Sequence, residues 1–380
     1  MSLKNIYHIR DKYIGIPFLY FIIKNMGTNH FVLSKEINKK DEVLFPFNRI
    51  KLVNKFEYFL YLLDKISIVF LKFTAKPINY LNSSLNKLGE MKKSVILHAH
   101  MGQQGYYSLY LKKKLSCPLV VTFYGADMSS VPKIKGWLDK YKFLFKTADV
   151  FVVEGVHMKS KLIELGCSEH KISIIKLLIP TNDIIFRKKL NPIFHNSEIR
   201  ILMCANFYEK KGYFTALKTI KVLLHNNYNV KLDIIGAGPL EKEILNLINS
   251  LSLENIVHMY GKMGLKEIYN IASQSDIFFH PSQTSTNGDT EGGAPTIVSQ
   301  MQAIGLPIVS THHADIPNVI PFKNHFLGIE KNVDSLFNQF KILLDIKDWN
   351  KIQVRGRKFV EENHSETVII NKYENLYSKL

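Results

Sequence analysis

Twice along this chain, short apolar runs of strand character alternate with amphipathic helical stretches, and that alternation restricts the fold more than any single motif does. From about residue 94 the order is SVILHAH, YYSLYLKKKL, PLVVTFYG, a lysine-rich helical stretch, ADVFVVEG, HMKSKLIELG and KISIIKLL. Strand, helix, strand repeated in this way predicts a parallel sheet with helices on both faces. NIYHIRD reads as an opening strand and FVLSKEI as a second, within a first eighty residues of less regular pattern. A polar stretch with a proline, RKKLNPIFHNSE, interrupts the alternation, and IRILMCANF begins it again. The expected architecture is therefore α/β, with two Rossmann-like doubly wound domains facing a central cleft. Residues 1–191 form the first domain and residues 192–348 the second. Residues 349–380 are helical by periodicity and need a surface to pack on, the first domain being one. Ligands of such sheets sit at the carboxyl ends of the strands, so the cleft is where chemistry is expected.

A chain of 380 residues is long enough for two separate cores. Its net charge of +17 is distributed unevenly: residues 1–200 carry 32 Lys and Arg against 15 Asp and Glu, whereas residues 201–380 carry 18 of each. A one-sided excess of this kind marks a face that meets polyanions, or else a surface merely decorated with solvated lysines. The basic residues are dispersed, with only short clusters such as Lys112-Lys113-Lys114, so a nucleic-acid arm is not expected. Cys117, Cys167 and Cys204 are scattered, which fits a reducing compartment without disulfides or a cysteine metal site. The start of the chain lacks the pattern of a signal peptide. The most apolar later segment, FEYFLYLLDKISIVFLKF, is interrupted by Asp64 and Lys65 and reads as a buried helix, with a membrane-lying helix as the alternative.

The stretch from His280 to Pro317 carries the most chemistry. It leaves a strand, passes through a polar loop with Gly292, Gly293 and Ala294, and enters a helix whose first turn is expected to include Pro295 and Thr296. Small residues let backbone N–H groups approach a ligand, and the helix N-terminus adds partial positive charge, so the pair suits a diphosphate. Glu291, at the mouth of this loop, is placed to accept hydrogen bonds from sugar hydroxyls. Taken alone, the same residues read equally well as ordinary turn and capping groups.

With its neighbours, this stretch resembles the family 4 glycosyltransferases of the GT-B fold, many of which build bacterial surface polysaccharides. HAHMGQQG, VVTFYGADMS, CANFYEKKG, IIGAGPL and above all DTEGGAPTIVSQMQAIGLPIVSTHHADIP carry the resemblance, from about residue 94 to the end. It implies that Lys211, followed by Gly212, binds the donor diphosphate with help from Lys210, and that Gly236 lies in a turn close to the nucleotide. His100, the second histidine of LHAHMG, is implied to face the donor sugar and the bond being broken. Gly102, Tyr124, Gly125 and Asp127 are expected to border the acceptor; Tyr124 read alone is as well explained by packing. Two positions depart from the family pattern. Asn206 stands where many members have an arginine, and Gln300 where most have a second glutamate that holds the ribose. No Asp-x-Asp is present, so neither a metal nor another cofactor is expected at the diphosphate.

What the resemblance implies is transfer of a hexose or related sugar, with retention, from a nucleotide-sugar donor to a lipid-linked oligosaccharide or lipopolysaccharide acceptor. The place implied is the cytoplasmic face of the membrane, reached peripherally through the anionic leaflet. Two other readings stand beside it. A non-catalytic GT-B-fold partner of a polysaccharide assembly complex would explain Asn206 and Gln300, and a sugar-nucleotide epimerase is disfavoured by the EGGAP stretch.

Overall fold

The apolar runs pair side by side as buried strands in the computed structural model, which describes residues 5–13, 30–37, 49–51, 95–188 and 197–380. The segment FEYFLYLLDKISIVFLKF and most of the polar stretch around residue 192 lie outside these residues. β1 (Asn5–Tyr13), β2 (His30–Ile37), β3 (Arg49–Lys51), β4 (Val95–His100), β5 (Leu119–Thr122), β6 (Val150–Val153) and β7 (Ile172–Ile174) form one parallel sheet in the order β3-β2-β1-β4-β5-β6-β7. β3 has three residues, too few for an apolar period to show. Between the strands run α1 (Gly102–Leu115), α2 (Gly125–Ser129), α3 (Trp137–Thr147) and α4 (Val156–Glu164).

Period-two alternation splits this sheet into two faces. Leu97, Ala99, Val121, Phe151 and Val153 point to α1 and α3, meeting Tyr141, Leu144 and Phe145. Ile6, Ile96, Val120 and Val152 point the other way, onto Ile369, Tyr373 and Tyr377 of the last helix.

The second sheet is built from β8 (Ile199–Cys204), β9 (Val230–Ile235), β10 (Val257–Gly261), β11 (Ile277–His280), β12 (Ile308–Thr311) and β13 (Phe326–Gly328) in the order β10-β9-β8-β11-β12-β13. Its helices are α5 (Tyr213–His225), α6 (Glu241–Ser250), α7 (Leu265–Gln274), α8 (Thr296–Ile304), α9 (Ile316–Val319) and α10 (Val333–Leu344). Both sheets are parallel, and both are covered by helices, as two-sided apolar strands require. Strand order reverses between β8 and β11, so the loops that leave these two strands diverge and open a crevice.

The two terminal helices part company. α11 (Trp349–His364) stays on the second domain, with Trp349 and Ile352 in its core. The Arg357 guanidinium bonds the carbonyls of Thr181, Ile184 and Ala303 at 3.0, 2.8 and 2.9 Å. The chain then turns at Ser365, and α12 (Glu366–Ser378) crosses to the first sheet. Burying its fully covered Ile369 stabilises that contact by about 1.5–3 kcal/mol. Before residue 189 the chain has already left the first core: Ile179 and Ile184 pack with Phe278 and Ile304 of the second domain.

Candidate active site

Of the two diverging loops at the reversal, the one after β8 runs through exposed Asn206 and a short turn at Glu209–Lys211 into Gly212. Gly212 has φ 71°, and a Cβ there would stand 1.9 Å from the Pro281 carbonyl oxygen. Only glycine fits so close to the end of β11 in this backbone conformation, and that approach carries Lys211 across the crevice. Gly236 and Gly238, in the turn after β9, pack around Phe207 of the same loop.

Glu291 waits at the other side. Lys211 Nζ lies 2.8 and 2.7 Å from its two carboxylate oxygens, and Ser282 Oγ donates to Oε1 at 2.7 Å. The side chains of the pair are 14% and 7% exposed. Burial alone would raise the Glu291 carboxyl, but Lys211 and His280 outweigh it and hold the group well below the ordinary carboxylate range. His280 Nε2 stands 3.7 Å from Oε1, too far for a hydrogen bond, and both its ring nitrogens are buried without a partner. Burial pushes this histidine down, toward its neutral form.

The Glu291 backbone is fixed as well. Its N–H donates to His313 Nε2 at 3.1 Å, and His313 Nδ1 contacts Glu330 at 2.6 Å, which in turn accepts from the Thr284 N–H at 2.7 Å. Beyond Glu291, the loop of Gly292, Gly293 and Ala294 ends at Pro295, and α8 begins at Thr296 without any side-chain cap. Pro295 therefore occupies the cap position, one residue ahead of the expected first turn. The leading N–H groups of α8 are left for a ligand, the arrangement an anion needs. Gln300 is half-buried one turn further along, and Lys210 bonds Asp289 at 3.0 Å and the Thr290 carbonyl at 3.1 Å.

From the first domain, β4 delivers two buried histidines. His100 meets His8 through Nε2 at 3.0 Å and Tyr124 Oη through Nδ1 at 2.8 Å. His98 contacts Tyr377 Oη and Thr122 Oγ1, each at 2.7 Å. His8, His98 and His100 hold ligand atoms within 4.8 Å of one another, a metal-like spacing. A metal there would have to displace these hydrogen bonds. Asp127 is fully buried, its carboxylate taken by the N–H groups of Gly102 and Tyr124 and by Tyr141 Oη at 3.0, 2.9 and 3.1 Å. It braces the loop from within rather than lining the cleft, and Gly102 is buried against Phe123 beside it.

The two domains touch where the expected site residues gather. A Cβ on Gly125 would stand 2.2 Å from the Glu291 carbonyl oxygen, so that glycine brings the loop carrying Tyr124 onto the loop carrying Glu291. Ser129 Oγ bonds Asp289 at 2.9 Å and Lys133 Nζ bonds the Asn287 carbonyl at 2.9 Å. Further in, Asp315 of the second domain accepts from the N–H groups of His157 and Met158 at 2.8 and 3.2 Å, covering the N-terminus of α4 in the first. Glu154, at the end of β6, lies against Gly293, where a Cβ would stand 2.5 Å from its Oε2. Burial, then Asp315 and Glu291, push its carboxyl up to about 8. His8, Glu154, His280, His313, Asp315 and Glu330 carry no local motif. The buried-strand position of His280 before a glycine loop was the one available signal.

Two Rossmann-like domains with this cleft define the GT-B architecture. Residues 186–358 match the family model for glycosyl transferases group 1. WcaL of Escherichia coli (strain K12), named as a colanic acid biosynthesis glycosyltransferase, is 26% identical over 287 residues, covering 74% of this chain and 70% of WcaL. AmsK of Erwinia amylovora, an amylovoran biosynthesis glycosyltransferase, is 32% identical over 227 residues, or 59% of this chain and 55% of AmsK. Anabaena Alr3699/HepE, solved in complex with UDP and glucose, superposes with a TM-score of 0.76 at 13% identity, covering 100% of both chains. The chain belongs to the group 1 glycosyltransferases of the GT-B fold and is similar to members that build bacterial polysaccharides.

Proposed function

We propose that the protein transfers a hexose or related sugar, with retention of configuration and without a metal, from a nucleotide-sugar to a lipid-linked oligosaccharide or lipopolysaccharide acceptor. One observation carries the reading: a nearly buried Lys211–Glu291 pair stands at the mouth of the uncapped N-terminus of α8. A donor diphosphate arriving there meets the α8 amides and draws Lys211 toward itself. The freed Glu291 carboxylate then accepts hydrogen bonds from sugar hydroxyls. As the bond from the anomeric carbon to the diphosphate breaks, its electron pair goes to the diphosphate oxygen, where Lys211 and the amides stabilise the charge. The acceptor oxygen bonds to the same face of that carbon, and its proton passes to the departing diphosphate. His100, held from both ring nitrogens, presents a fixed ring edge toward the sugar, and Tyr124 borders the acceptor. No enzymic carboxylate pair is needed in this scheme.

The relative solved with UDP and glucose supports a uridine nucleotide as the first donor to try. No helix among the described residues is long and apolar enough to cross a membrane; peripheral attachment at the cytoplasmic face is part of the proposal. The test is calorimetric titration with UDP-, GDP- and ADP-sugars, repeated on Lys211→Ala and Glu291→Ala. Binding of one donor class, weakened in both variants, supports the reading. If no donor binds, the reading falls, and a non-catalytic partner takes its place.

A further inference from the structure

We infer that the outer face of α3, with the turn before it and the adjoining edge of α1, is the surface on which this protein lies against an anionic lipid bilayer. Trp137, Tyr141, Leu144 and Phe145 turn inward from α3, so the opposite side faces water and would ordinarily be polar. Instead Leu138 is 37% exposed, Phe143 57%, and Ile134, just ahead of the helix, 51%. Tyr110 of α1, 38% exposed, lines the same hollow as Phe143. Single exposed apolar residues are commonplace, but four on adjoining elements form a patch.

Cations are interleaved with that patch. Residues 131–147 contain five lysines and one acidic residue, Asp139. Lys133 and Lys135 flank Ile134, while Lys142 and Lys146 share the exposed side of α3 with Leu138 and Phe143. Apolar side chains set among ammonium groups match the boundary between acyl chains and anionic head groups, where lysine stems lie along the apolar layer and their charges reach phosphates. A polyanion without an apolar layer would leave Ile134 and Phe143 unused. Charge also selects the domain, because the whole excess of +17 falls in residues 1–200.

The patch adjoins the cleft, since Lys133, at its edge, bonds the Asn287 carbonyl across the domain gap at 2.9 Å. A lipid-anchored acceptor could therefore reach the cleft without leaving the bilayer. This last point rests on the proposed transferase activity, whereas attachment itself does not.

Vesicle sedimentation of the whole protein tests it, using phosphatidylcholine alone and phosphatidylcholine mixed with phosphatidylglycerol, without donor. The protein is expected to pellet with the mixed vesicles only, and less so as salt rises. Ile134→Asp and Phe143→Asp should each weaken partitioning about tenfold, and Lys142→Gln and Lys146→Gln about fivefold each. Phe322→Asp, at a side chain 85% exposed on the second domain, should change nothing. Wild-type protein that ignores anionic vesicles overturns the inference. So does binding that survives all four patch substitutions, or that Phe322→Asp abolishes. Donor calorimetry on the same preparations separates the two proposals: donor binding without vesicle binding defeats this one alone, and vesicle binding without donor binding defeats the transferase reading alone.

Discussion

Replacing Lys211 by methionine keeps most of the side chain and removes only its charge. In the unliganded site that charge stands 2.8 and 2.7 Å from the two Glu291 oxygens, with 14% and 7% of the two side chains exposed. After the substitution Glu291 keeps the Ser282 hydroxyl and a neutral His280, neither of which balances a buried carboxylate. Breaking a buried pair in this way costs roughly 3–5 kcal/mol, and residual solvent access at Lys211 lowers the figure to about 2–3 kcal/mol. For a domain of this size that is a fall of about 5–10 °C in melting temperature. Adding Glu291→Gln removes the stranded charge while keeping the side chain's shape, so the double variant should recover to within about 1 kcal/mol of the parent. Donor binding behaves differently: both the single and the double variant lose it, because the diphosphate still lacks its cation. Thermal unfolding and calorimetry on the same samples read the two effects separately. A double variant no more stable than Lys211→Met alone would refute the pairing argument, and donor affinity unchanged in Lys211→Met would refute the role given to that lysine.

Three further outcomes follow from the geometry. Asp315→Ala should uncover the N-terminus of α4 and shift the domains toward an open arrangement by about 1–2 kcal/mol. Gly155→Ala, whose Cβ would meet the Asp315 carboxylate at 2.2 Å, should do the same from the other domain; unchanged small-angle scattering in both would count against an Asp315 latch. Glu154, pushed up to about 8 by burial and by Asp315 and Glu291, binds a proton in the folded protein that an unfolded carboxylate near 4.5 releases. Its burial therefore costs stability increasingly as pH rises from about 4.5 to about 8, so Glu154→Gln should raise the melting temperature at pH 8 and leave it nearly unchanged at pH 4. An equal shift at both values would rule that linkage out. Tyr373→Ala, at a side chain 3% exposed beneath α12, should cost about 3 kcal/mol in denaturant titration, and a loss under about 1 kcal/mol would mean that α12 adds little to the first domain.

The sequence by itself determined the two parallel sheets, because strands buried on both faces must be apolar at every position and that is visible residue by residue. It also placed Lys211, Gly212, Glu291 and the glycine loop after strands, where the cleft had to be. β3 and β13 stayed hidden, since three residues carry no period. Tertiary structure decided the rest. It spent the Asp127 carboxylate on bracing a loop, set His8 against His100 across ninety-two residues, laid Asp315 on a helix of the other domain, and sent α12 back to the first sheet. The physical reason is common to all four: periodicity and turn chemistry are local, whereas the partner of a buried polar group is whichever donor or acceptor the packed strands and helices bring within about 3 Å.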